Sequence, residues 1–228
     1  MSHLAFRERG NDLALEVDWV VVGSGAGGAT AAVTLARGGD RVALVEAGAW
    51  RDPEDYPHSA YGGLRDLMPD FGAAVTTGPA QWPIVQGRGV GGTTLVNSAI
   101  CVRTPADLFT EWSREHGFGG DGLAERVWAV QERHEAELGA ELPSEAALGR
   151  NSALALRGAR ALGYDSHLTT RFVKGCTGTS QCLQGCGTRR KQGLNLNFVP
   201  EVLERGGVVV SCAPVERVQL AGGRAVGV

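Results

Sequence analysis

The stretch Trp19-Val20-Val21-Val22-Gly23-Ser24-Gly25-Ala26-Gly27-Gly28 restricts the fold of this chain more than any other. An apolar, β-branched run enters a G-x-G-x-x-G turn at Gly23, Gly25 and Gly28 and leaves through the small-residue run from Ala29 to Arg37. That is the order of strand, tight turn and helix in a dinucleotide-binding βαβ unit. Gly23 serves the turn, Gly25 leaves the backbone open to a pyrophosphate, and Gly28 lets the helix lie close to the strand. The diphosphate then rests on free N–H groups at the helix N-terminus, in the turn that also holds Ser24 and Ala26. Gly38-Gly39-Asp40 stops the helix, Arg41-Val42-Ala43-Leu44-Val45 reads as a second buried strand, and Glu46 closes it. A carboxylate there accepts hydrogen bonds from an adenosine ribose and repels a 2′-phosphate. The glycine turn by itself is a weak signal; strand, helix and acid in the required places make it specific, with FAD and NAD still open.

A second glycine turn follows. The segment from Ala47 to Gln86 carries Pro53, Pro57, Pro69, Pro79 and Pro83 and reads as a loop-rich excursion. It leads into Gly87-Arg88-Gly89-Val90-Gly91-Gly92-Thr93-Thr94-Leu95-Val96-Asn97-Ser98, whose backbone N–H groups and hydroxyls suit an anionic group. Two such turns in one chain fit a long ligand held at several points.

From Thr104 the pattern becomes helical. Thr104-Pro105-Ala106-Asp107 reads as a helix start, with Leu108, Phe109 and Trp112 on the buried side. A second helix, capped by Asp121, runs to about Leu138, and a third ends at Gly163. Strand character returns at Gly207 to Ser211, and Val215 to Val228 reads as a hairpin around Gly222-Gly223. The fold expected is therefore α/β, a Rossmann-like sheet with a helical insertion. Its domains are 1–103 (first part of the dinucleotide-binding domain), 104–174 (insertion or cap) and 175–228 (a Cys-rich loop and the return to the first domain). Because the chain stops within a strand, a C-terminal truncation is expected.

A net charge of −3 gives no footprint for nucleic acid, and no apolar run is long enough for a membrane span. The region from Met1 to Val17 has no apolar leader core. The location read from this is cytoplasmic, with partner-assisted export to the periplasm as the alternative.

These motifs together resemble the glucose-methanol-choline (GMC) oxidoreductases, FAD enzymes that oxidise alcohols and sugars. The resemblance rests on the Gly23–Gly28 turn, Glu46, the Gly87–Asn97 block, Cys101-Val102-Arg103-Thr104-Pro105 and the tail from Val199-Pro200 to Val228. Cys101 departs from the aromatic residue or alanine usual in the family. The resemblance implies noncovalent FAD, with its ADP half on Gly23, Gly25, Gly28 and Glu46. Its flavin half is expected near Gly91, Gly92, Thr93, Asn97 and Ser98, and its adenine by Val215. It also implies hydride transfer from an alcohol carbon to flavin N5, with the proton taken by a histidine in the C-terminal half of such proteins. His3, His58, His116, His134 and His167 match no catalytic motif of the family, so the catalytic residue is unknown.

Cys176, Cys182 and Cys186 form a C-x5-C-x3-C spacing among glycines. Soft thiolates suit iron–sulfur clusters, whereas structural zinc wants a fourth ligand. The spacing resembles that of cluster-bearing GMC glucose dehydrogenases, which implies a [3Fe–4S] centre and an electron-transfer subunit. A cysteine-rich structural loop is the plainer alternative, and Cys101 and Cys212 read as buried small hydrophobes. Two other functions remain in view: a nicotinamide-dependent dehydrogenase, which the Gly87–Asn97 block disfavours, and a truncated dinucleotide-binding product without turnover.

Overall fold

The computed structural model describes residues 2–9 and 12–228. Met1, Gly10 and Asn11, part of the N-terminal stretch read above as leaderless, lie outside the described residues. In chain order, β1 (Ser2–Ala5) and one helical turn, α1 (Phe6–Arg9), precede β2 (Trp19–Val22), α2 (Ala26–Arg37) and β3 (Val42–Val45). The proline-rich excursion contains α3 (Ala60–Leu67). Then come α4 (Ala106–His116), α5 (Leu123–Leu138), β4 (Ala140–Glu141), α6 (Arg150–Ala161) and β5 (Arg171–Phe172). The chain returns through α7 (Phe198–Glu204), β6 (Val208–Ser211) and the hairpin β7 (Gln219–Ala221) and β8 (Arg224–Gly227).

The chain forms two units. The first comprises residues up to Ser98 with Gln181–Arg189 and Gly193–Val228; the second comprises Ala99–Ser180 with Arg190–Gln192. The break falls at Ser98 and not at 103. The Cys101 N–H donates to the Thr170 carbonyl (2.9 Å) and the Phe172 N–H to that of Ala99 (2.8 Å), which ties residues 99–103 into the second unit.

In the first unit an all-parallel sheet runs in the order β1-β6-β3-β2. β3 lies between β2 and β6, and all four of its side chains are buried, which is why it reads as an uninterrupted apolar run. α2 offers Ala29, Ala32, Val33 and Ala36 to the interior, and such small side chains let its backbone approach the sheet. α7 packs beside α2 and buries Phe198, Val199 and Val202. The nucleotide-type strand β2 is outermost, with Trp19 51% and Val22 53% exposed.

Two elements were not legible beforehand. β1 adds a parallel strand to β6, and the His3 imidazole meets the Ser211 hydroxyl at 2.9 Å and lies tilted against the Trp50 ring, centroids 4.9 Å apart. α3 forms inside the supposed loop, capped by the Ser59 hydroxyl, which accepts from the Gly62 N–H at 3.1 Å. It helps bury a cluster of Tyr56, Leu67, Met68, Leu95 and Val96. No helix among the described residues is long and apolar enough to cross a membrane.

In the second unit α4 and α5 pack through aromatic edges, with Phe109 5.6 Å from Trp112 and 6.4 Å from Trp128. Only Phe109 of the expected stripe on α4 is buried; Leu108 and Trp112 stay partly in water. Arg103 and Glu135 form an ion pair (3.0 Å). Cys101 is half-buried, beside Glu135 and Gln131, and burial followed by the Glu135 charge pushes its thiol pKa up. Cys212, in the first unit, is likewise half-buried, so neither cysteine is the fully buried hydrophobe expected.

Candidate functional site

The site is built where the two glycine turns of the first unit meet. Gly23 takes φ +88°, the left-handed conformation that the turn out of β2 requires. A Cβ on Gly28 would overlap the Gly23 carbonyl, so α2 can start this close to the strand only with glycine there. Gly25 differs: the nearest atom to a Cβ built on it is the Gly92 Cα, at 4.0 Å. Among the described residues nothing forbids a side chain at Gly25, and the space over it is open. Gly25 is also the N-cap of α2 and no side chain caps the helix, so the first-turn N–H groups, which lack intrahelical partners, face that space with the positive end of the helix dipole.

The second turn lies directly against the first. A Cβ on Gly92 would stand 2.6 Å from the Gly25 Cα, and Gly92 itself has φ +54°. Behind it, Leu95 and Val96 are buried in the α3 cluster, which turns Thr93, Asn97 and Ser98 outward into water. The Thr94 hydroxyl donates to the Gly91 carbonyl (2.6 Å) and accepts from the Leu194 N–H (3.1 Å). Asn195, one residue on, donates from Nδ2 to the Tyr56 hydroxyl (2.8 Å). Burial, only partly offset by that bond, pushes the Tyr56 phenol up to about 12.

Glu46 sits at the end of β3, 7% exposed. Its Oε2 accepts from both the backbone N–H (2.9 Å) and the hydroxyl (2.7 Å) of Ser24, and its Oε1 accepts from the Gly48 N–H (2.8 Å). A carboxylate offers about four acceptor positions, so one remains, on Oε1. The Ser24 hydroxyl in turn accepts from the Gly91 N–H at 2.9 Å. Cys212 and Ala213 donate to the carbonyls of Gly48 and Glu46 (both 2.9 Å), which brings the segment leading to half-buried Val215 alongside this acid.

Two expectations change in detail. Several N–H groups of the second turn are already engaged: Gly91 donates to Ser24, Gly92 to the Gly89 carbonyl (2.8 Å) and Gly87 to the Thr93 hydroxyl (3.2 Å). A tight 3₁₀ turn uses up part of its own donors, so this turn offers fewer bare N–H groups than its sequence promises, with side chains and shape beside them. Glu46, for its part, retains one acceptor position and not a whole carboxylate. The Thr94 hydroxyl, read with its turn as suited to an anion, is instead engaged by Gly91 and Leu194, while the roles of Tyr56 and Asn195 carried no motif beyond a polar Asn195 between Leu194 and Leu196.

The cysteine loop does not gather into a ligand set. Cys176 belongs to the second unit, and Cys182 and Cys186 to the first. Among the described residues no group of three or more His, Cys, Asp or Glu side chains is placed to hold a metal ion. In the first unit the loop is held by other means: Gly185 lies against the Tyr56 ring, Gln184 against Gly63, and Arg189 pairs with Glu54 at 3.0 Å. The buried Cys186 sulfur meets the Thr188 hydroxyl at 3.3 Å. The [3Fe–4S] expectation is therefore not supported.

A chain with this sheet, these two apposed glycine turns and an acid after the second motif strand has the architecture of a dinucleotide-binding domain. The profile of the GMC oxidoreductase family matches residues 17–228, and the chain belongs to that family. A GMC-type oxidoreductase of Mycobacterium tuberculosis, itself described as uncharacterised, is 39% identical over 218 residues, spanning 92% of this chain and 34% of its own length. A long-chain-alcohol oxidase of Arabidopsis thaliana is 27% identical over 203 residues, 89% of this chain and 27% of its own. The chain thus spans about a third of the length of the curated relatives it matches. Among solved structures, pyridoxine 4-oxidase from Mesorbium loti has a similar fold (TM-score 0.64, 18% identity, 92% of this chain and 45% of that one). A formate oxidase variant from Aspergillus oryzae does too (TM-score 0.55, 19% identity, 96% and 40%).

The family implies FAD, and the residues present fit it. Gly25 is open where a Cβ would otherwise intrude, the uncapped start of α2 supplies donors for a diphosphate, and Glu46 keeps one acceptor for a ribose hydroxyl.

Proposed function

We propose that this chain is the FAD-binding part of an oxidoreductase acting on CH–OH groups of an alcohol or sugar. The observation that carries the reading is the backbone-to-backbone contact of the two glycine turns over an uncapped helix start, with Glu46 beside it. The first-turn N–H groups of α2 would hold the diphosphate, the open acceptor of Glu46 a ribose hydroxyl, and Val215 the adenine side. Thr93, Asn97 and Ser98 would line the flavin side. When bound, FAD supplies a hydride acceptor for the carbinol carbon. The contribution of the chain is to orient that cofactor and keep it from rotating away from the second turn. No base for the hydroxyl proton is assigned to these residues: His3 is bonded to Ser211, and His134 lies 3.2 Å from Glu137.

The alcohol reading is supported by the long-chain-alcohol oxidases among the relatives. The test is to express the complete reading frame, record the flavin absorbance of the purified protein, and add primary alcohols and sugars without oxygen. Bound flavin that bleaches with an alcohol or sugar is expected. Protein that carries no flavin would sink the FAD reading, and bound flavin that no such compound reduces would sink the substrate class alone.

A further inference from the structure

Ser24 occupies the x position between the first two motif glycines, where the motif asks for no particular side chain. Here its side chain is fully buried and its hydroxyl has two partners on opposite sides. It donates to Glu46 Oε2 at 2.7 Å and accepts from the Gly91 N–H at 2.9 Å. Glu46 belongs to the adenosine side of the site and Gly91 to the flavin side. Because the proton of the hydroxyl is committed to a carboxylate, its lone pairs are left for Gly91, and charge assistance strengthens both bonds.

We propose that the Ser24 hydroxyl is the positioning group that couples the two glycine turns, holding the flavin-side turn in register with the adenosine-side carboxylate. Gly91 has φ +106° and Gly92 φ +54°, a backbone path with no side chain of its own to pin it, so the turn is fixed by its neighbours. On one side these are Thr94 and Leu194; on the other it is Ser24. Removing the hydroxyl frees the second turn on the side that meets Gly25, leaves a buried N–H without an acceptor and takes one donor from Glu46. The first turn and its uncapped helix start remain. A ligand that uses only the first turn is then affected less than one that spans both.

The inference rests on the FAD reading, and ADP and FAD serve as paired probes. The affinities of both are measured on the flavin-free protein from the complete reading frame, unaltered and as Ser24→Ala. A loss of about tenfold or more for FAD is expected, the size of one unsatisfied buried group, with ADP changed by no more than about threefold. Ser24→Thr, which keeps the hydroxyl, is expected to return the FAD-to-ADP ratio towards that of the unaltered protein. Should Ser24→Ala not fold, Ser24→Cys places a weak donor and acceptor in nearly the same volume, and the same preferential loss of FAD is expected. Equal losses for the two probes would show a merely structural role and overturn the coupling, as would unchanged FAD affinity. Unaltered protein that binds ADP but not FAD would overturn the FAD reading and the coupling together.

Discussion

Arg37 and Glu201 form a two-pronged ion pair, Nε to Oε1 at 2.8 Å and Nη2 to Oε2 at 2.7 Å, that fastens α2 to α7. The Arg37 guanidinium also lies over the Phe198 ring, and Arg205 donates to Glu201 from one turn further along the chain (2.7 Å). The helix whose first turn is proposed to hold the diphosphate is thus braced by a neighbour far away in sequence. Hydrogen bonding from Arg37, with a smaller share from Arg205, holds the Glu201 carboxyl down to about 2, against an ordinary 4.5. A depressed carboxyl stabilises the fold above its unfolded value, and that stability is lost as pH falls through the folded value. Glu201→Gln is expected to cost about 1 kcal/mol at neutral pH. In thermal melts the gap from the unaltered protein should narrow between pH 4.5 and 2, and a gap that stays constant through that window would contradict the assignment.

Gly25 and Gly92 touch, yet their substitution should have opposite signatures. Gly92→Ala places a Cβ 2.6 Å from the Gly25 backbone at positive φ, so a loss of stability of about 2 kcal/mol or more is expected even without cofactor. Gly25→Ala meets only ordinary contact, and its flavin-free stability should stay within about 1 kcal/mol. The larger Gly25→Val should purify without flavin, because its side chain fills the space over the helix start. Equal flavin content in Gly25→Val and the unaltered protein would place the diphosphate elsewhere.

Glu46→Gln tests whether the acid is both scaffold and ligand. The amide puts an NH2 group against Ser24 or Gly48 donors that now share a carboxylate. Stability of the flavin-free form should fall by about 1.5–3 kcal/mol, and FAD affinity should fall as well. A dissociation constant for FAD that does not move, in a protein that melts earlier, would make Glu46 scaffold only.

Tyr56→Phe removes the acceptor of the Asn195 amide in a buried place, at an expected cost of about 1–2 kcal/mol. The phenol is raised above its usual 10 to about 12. Its contribution is therefore complete below pH 10 and is lost as pH climbs towards 12, because the unfolded chain gives up that proton first. Ultraviolet titration of the folded protein should show one tyrosine missing from the ionisation near pH 10 and regained on unfolding. All tyrosines ionising together in the folded state would count against the burial of the Tyr56 phenol.

The local determinants of this fold are written in short runs of residues. Val20-Val21-Val22 before Gly23, the alanines of α2 and the all-apolar β3 specify strand, turn and helix through periodicity and glycine stereochemistry, which act over a few residues. The Gly87–Asn97 block and Glu46 mark the site in the same way, and they carried the resemblance that the family match bears out. Other features are decided by partners distant in the chain, and no local pattern encodes them. β1 exists because β6 offers an edge more than two hundred residues later. α3 holds because Leu95 and Val96 cover it, and Thr94 points inward because Leu194 needs an acceptor. The cysteine spacing suggested a metal centre, but thiols hold a metal only if the fold brings them to one point, and among the described residues no such group forms. Ser24 shows the same division of labour. Its place in the motif is a matter of sequence, while its two hydrogen bonds exist only because folding brings Glu46 and Gly91 to either side of one buried hydroxyl.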